Sequence, residues 1–98
     1  MSDMYFEWND RKAELNRRRH GTSFKEAQTV FADENGLLLD DADHSDGEDR
    51  FILLGLSSRL RLLVVTHTYR KDDAIIRIIS DARQLTQSNN NIGTGGET

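Results

Sequence analysis

Residues 61–80, RLLVVTHTYRKDDAIIRIIS, set His67, Tyr69 and three arginines, Arg61, Arg70 and Arg77, among apolar residues. Histidine titrates near neutrality and serves as either acid or base. Arginine offers a fixed bidentate fork that matches phosphate. A tyrosine can stack on a base or offer its hydroxyl. RNA can be cleaved without a metal by its own 2′-hydroxyl. That reaction needs a proton acceptor, a donor for the leaving 5′-oxygen and cations for the charge on phosphorus. The group has the right chemistry, but a hydrogen-bonded surface histidine and structural Arg–Asp pairs account for the same residues.

These side chains need a scaffold. The runs around RFILLGLSSRLRLLVVTHTYRKDDAIIRIIS predict a three-stranded antiparallel meander, with turns at SSR and RKDDA. Nearly continuous apolar character implies that both sheet faces are largely covered. Alternation puts Arg61, Leu63, Val65, His67 and Tyr69 on one face, and Leu60, Leu62, Val64, Thr66 and Thr68 on the other. The second set, apolar and then neutral, is expected beneath the helices. Pairing across RKDDA brings Arg77 near residues 66–68, on a face that depends on register.

Upstream, MYFEWN reads as a short edge strand, and Asn9 as the N-cap of a helix over Asp10–Arg19 that Gly21 closes. Its apolar residues are only Ala13 and Leu15. Its last turn, Arg17-Arg18-Arg19-His20, either complements the helix dipole or contacts phosphate. Ser23 and Glu26 form a capping box for a second helix, whose Phe24, Ala27, Val30 and Phe31 make one apolar stripe. GLLLD is a short strand. DADHSDGED is an acidic loop. It fails as a calcium loop, because Gly47 falls one position late and Ile52 stands where the bidentate glutamate belongs. His44 with Asp40 and Asp43 matches no zinc spacing.

The 98 residues suit one domain with a modest core, and the absence of cysteine excludes disulfides and thiolate metal sites. No apolar leader or membrane span is present, so a cytosolic protein is expected. The net charge of −4 hides an asymmetry: residues 33–49 carry eight acids and no base, while the remainder is net basic. Such a distribution permits an anionic partner despite the sign of the total.

Three stretches resemble the BrnT family, the toxin half of bacterial type II toxin–antitoxin pairs. They are FEWNDRKAELNRRRHGTSFKEAQTVFAD (6–33), DHSDGEDRFILLGLS (43–57) and LLVVTHTYR with IRIIS (62–70, 76–80). The resemblance implies a RelE-like α+β fold, with two N-terminal helices packed on a small twisted antiparallel sheet. Residues 1–86 are expected to form one toxin-like domain, and the polar, glycine-rich composition of 87–98 predicts a disordered tail. The resemblance also implies a metal-independent endoribonuclease that halts translation and needs no cofactor. The implied partners are an RNA substrate and a BrnA-like ribbon-helix-helix antitoxin, in a complex as large as a heterotetramer. That complex would reach operator DNA only through the antitoxin and would not touch membrane.

Under the resemblance His67 acts as acid or base with Tyr69, and Arg77 and Arg83 hold the scissile phosphate. Arg50, Arg61, Arg70 and Lys12 are substrate-binding, and Glu48 and His20 are supporting residues. The chain departs from the family pattern where Asp81 stands inserted before Ala82-Arg83, and again in the glycine-rich tail. One extra residue flips Arg83 across the sheet unless a bulge absorbs it. The departure leaves a second reading, a member that binds an antitoxin or nucleic acid without cleaving.

Overall fold

The computed structural model describes residues 4–41 and 49–84. In chain order the elements are β1 (Tyr5–Glu7), α1 (Asp10–His20), α2 (Phe24–Val30), β2 (Leu37–Asp40), β3 (Phe51–Leu56), β4 (Leu62–Arg70) and β5 (Ile75–Arg83). Residues 42–48, with His44 and Glu48, and residues 85–98 lie outside the described residues.

Local chemistry sets the helix ends. The Asn9 side chain accepts from the Lys12 N–H at 3.0 Å, and Gly21 closes α1 at φ 73°, donating to the Arg17 carbonyl. Glycine takes that left-handed conformation at the least steric cost. Ser23 Oγ accepts from the Glu26 N–H at 3.0 Å. The reciprocal half of the capping box is missing, because the Glu26 carboxylate turns inward.

The five strands form one sheet in the order β1-β5-β4-β3-β2. β2 through β5 pair antiparallel, while β1 joins the β5 edge in parallel, with Phe6 opposite Ile76. α2 packs on one face. Phe24, Ala27 and Val30 meet Leu53, Leu63, Val65, Ile76 and Ile78 in the core. Gly55 permits this approach, since a Cβ there would lie 2.9 Å from Val30 Cγ1.

The helix-covered face carries Leu63, Val65 and His67, all fully buried. This reverses the expected assignment of faces. Both alternating sets of β4 hold two strong apolar residues, so the pattern could not choose between them. The deciding partner is aromatic: Phe31, just after α2, packs on the His67 ring. The opposite face carries Leu37, Leu39, Ile52, Leu54, Leu56, Leu62 and Val64. Leu37, Leu39 and Leu56 remain exposed, and among the described residues no element covers this face.

β5 contains a bulge. Thr66 pairs with Ser80 but His67 pairs with Ile78, so Ile79 is the extra residue. The bulge shifts the alternation of β5 by one residue. It turns Asp81 inward, where it is 1% exposed, and sets Arg83 opposite Leu63.

Candidate active site

The centre of the candidate site is the His67 ring. Phe31 meets it edge-on at 4.8 Å between centroids, Tyr69 at 5.3 Å, and Phe51 lies tilted at 6.1 Å. Phe51 and His67 are direct cross-strand partners, and Tyr69 follows two residues along the same face. The ring is 0% exposed. Burial lowers its pKa below the ordinary 6.5, with a smaller opposing effect from its bond to the Val65 carbonyl. The imidazole is therefore neutral at pH 7.

The hydrogen bonds select a tautomer. Nδ1 lies 3.2 Å from the Val65 carbonyl oxygen, which can only accept, so Nδ1 carries the proton. Nε2 then presents a lone pair to the Tyr69 hydroxyl, 3.4 Å away. Tyr69 is half-buried and forms the outer member of the pair. Its own pKa is raised by burial, and further by Asp73.

The arginines do not gather around this pair. Arg77 pairs with Thr68, on the face opposite His67, and its Nη1 donates to Glu7 at 2.9 Å. Arg70 is on that same far side, 3.6 Å from the Glu7 carboxylate. Arg61 lies at the other end of β4 and is clamped by Glu26. Its Nε donates to Glu26 Oε2 at 2.9 Å, and its Nη2 pairs with Oε1. That clamp, with Ser57 Oγ donating at 2.6 Å, holds the Glu26 carboxyl below the usual carboxylate range. Arg83 is exposed four residues down β4 from the histidine's level, on the order of 13 Å away. Arg50 precedes β3, with its Nε buried and without a hydrogen-bond partner. Lys12 and His20 are exposed on α1.

Two features escaped the sequence reading. One is the aromatic enclosure, in which Phe31 and Phe51 act as walls. The other is a buried polar cluster of Asn16, Thr22 and Asp81. Its only advance signal was the poor apolar content of α1: a helix that cannot dock through aliphatic side chains needs another grip.

Chain comparisons bear on this geometry. Residues 8–89 match the family model for the ribonuclease toxin, BrnT, of type II toxin-antitoxin systems. The chain belongs to the BrnT family. The BrnT fold assignment is reinforced by the crystal structure of the Brucella abortus ribonuclease toxin, BrnT. That structure superposes with a TM-score of 0.64 at 17% identity, over 84% of this chain and 97% of that one. No curated protein matches. As a BrnT-family member the chain is a type II toxin-antitoxin component. No helix among the described residues is long and apolar enough to cross a membrane.

Proposed function

We propose that this BrnT-family chain is a metal-independent endoribonuclease that cleaves cytoplasmic RNA and thereby inhibits translation. A BrnA-like ribbon-helix-helix antitoxin restrains it and carries the complex to operator DNA. The carrying observation is the His67–Tyr69 pair, whose tautomer leaves Nε2 ready to accept the tyrosine proton. In the reaction the substrate 2′-hydroxyl gives its proton to the Tyr69 oxygen as the Tyr69 proton passes to Nε2. The 2′-oxygen bonds to phosphorus and the P–O5′ bond breaks. The 5′-oxygen takes a proton from solvent water as it leaves, the imidazolium returns its proton through Tyr69 to the hydroxide so formed, and a 2′,3′-cyclic phosphate remains. The charge on phosphorus must be met by cations from outside the pair, because Arg70 and Arg77 sit with Glu7 on the far face. His67 is then a positioning and proton-accepting residue behind Tyr69, since its ring is closed off from a substrate.

A second reading is favoured by the same burial, and by Glu7 and Glu26 occupying Arg77 and Arg61. In it the chain binds its antitoxin but does not cleave. Incubating purified protein with structured RNA in EDTA separates the two. Cleavage to 2′,3′-cyclic phosphate ends that Tyr69→Phe abolishes supports the nuclease. Intact RNA with folded wild-type protein supports the binding-only member. Tyr69→Phe is the decisive variant because it removes one hydroxyl and keeps the ring.

A further inference from the structure

A second feature lies away from the His67–Tyr69 pair, where α1 runs along the edge of β5. β1 pairs with β5 only as far as Arg77, so the strand continues to Arg83 with its outer edge facing α1. Between the two lies a groove of about 190 Å³, lined by Lys12, Leu15, Asn16, Arg19, Ile79 and Ser80. Its floor includes the bulged residue. Lys12 and Arg19 are seven residues apart. At 3.6 residues per turn they project within about 20° of each other around the axis and about 10 Å apart along it. Neither has an ion-pair partner among the described residues. The helix's own acids cannot neutralise them. Asp10 and Glu14 project about 140–180° away, and Glu14 is already held by Arg17 and Arg18. Asp81, which follows Ser80 on β5, is buried against Asn16.

Two exposed cations aligned along one groove make a track for a polyanion. We propose that the α1–β5 groove holds successive backbone phosphates of a single-stranded RNA, with Lys12 and Arg19 as the phosphate contacts and Ser80 as a hydroxyl donor. The proposal rests on the nuclease reading for its ligand. It gives that reading a substrate-positioning surface that Arg77 and Arg61 cannot supply. A compact strongly hydrated ammonium and a planar guanidinium both serve here, because such contacts position the backbone without reading sequence.

The test measures binding of a 2′-O-methyl RNA 12-mer, which cannot be cleaved, across a salt series. Each phosphate contact contributes about 0.7 to the slope of log K against log salt on a single strand. Lys12→Ala with Arg19→Ala should flatten the slope by about 1.4 and weaken binding about 25-fold at 0.1 M salt. Arg11→Ala, which removes an α1 cation pointing elsewhere, should change neither. Unchanged binding by the double variant overturns the groove, whether or not the wild type cleaves. No RNA binding by the wild type also overturns it. Groove-dependent binding without cleavage of ordinary RNA sustains the groove and removes the nuclease reading.

Discussion

The Asn16 carboxamide pairs with the backbone of Asp81 as a neighbouring strand would. Its Nδ2 donates to the Asp81 carbonyl at 2.9 Å, and its Oδ1 accepts from the Asp81 N–H at 3.1 Å. Nδ2 also pairs with the Asp81 carboxyl. One side chain of α1 thus closes the sheet edge that β1 leaves open. The Thr22 hydroxyl, at 3.4 Å, completes the grip. This explains how a helix with two apolar residues docks at all.

Asn16→Ala should therefore be among the most destabilising changes in α1. It leaves a buried N–H and C=O without partners, at about 1–3 kcal/mol each. A loss of about 3 kcal/mol in urea unfolding is expected, with amide exchange at Asp81 accelerating first. Asn16→Asp should fare no better, since it keeps the acceptor but removes the donor to the Asp81 carbonyl and sets two carboxyls together. A change below about 0.5 kcal/mol for Asn16→Ala would show that the edge is held in another way.

Asp81 makes stability depend on pH in an unusual direction. Its Oδ2 is buried without a partner, and burial raises its pKa from 3.8 to about 6, against smaller opposing effects from Thr22 and Asn16. The folded state holds the proton more tightly than the unfolded one. The favourable contribution is complete below pH 3.8 and is lost as pH rises through about 6. His67 has the opposite sign. Its lowered pKa contributes stability above 6.5 that disappears as pH falls. The two oppose each other in the wild type, so the Asp81 part is read as a difference. Asp81→Asn should be more stable than wild type at pH 8, by up to about 3 kcal/mol. The gap should close toward pH 4. A gap that does not vary with pH would exclude Asp81 as the titrating group.

The Glu26–Arg61–Ser57 cluster should be structural. Arg61→Ala leaves a buried carboxylate with only the Ser57 hydroxyl, and breaking such a pair costs about 3–5 kcal/mol. Glu26→Gln with Arg61→Met should recover much of that loss, because both charges go together. RNA cleavage per folded molecule should be unchanged in the double variant. A selective loss of cleavage at full stability would return Arg61 to the substrate-binding group.

The element order, helix caps, core stripe of α2 and three-strand meander were all legible in the sequence. Each rests on interactions within a few residues, such as Asn9 with Lys12 or Ser23 with Glu26. The faces of β4 were not legible, because Leu62 and Val64 read the same as Leu63 and Val65. A histidine also reads as a surface group until its neighbours are known, and Phe31 lies 36 residues away in the chain. The bulge at Ile79 and the bond of Asp81 to Asn16 were not legible, because both depend on tertiary pairing. The motif order carried the family. It could not show that Arg77 and His67 occupy opposite faces, since a bulge or a single-residue slip alters that relation without changing any motif.

The opposite faces of Arg77 and His67 yield the sharpest prediction about the candidate site. Arg77 is held by Glu7 at 2.9 Å, beside Thr68 and away from the Tyr69 hydroxyl. Arg77→Ala should leave RNA cleavage within about twofold of wild type. The lost ion pair is partly exposed and is worth at most about 1 kcal/mol of stability. Tyr69→Phe should lower cleavage about 100-fold or more, the range of a lost proton-transfer group. It should not alter unfolding by more than about 1 kcal/mol, since one long hydrogen bond is removed. The residual pH profile adds a check. Wild-type cleavage should hold to a lower pH than an ordinary imidazole would allow, because burial keeps His67 neutral there. If Arg77→Ala is inactive while Tyr69→Phe is not, the substrate phosphate lies on the far sheet face. The Glu7–Arg77–Arg70 cluster, rather than the enclosed histidine, would then be the place to look for the chemistry.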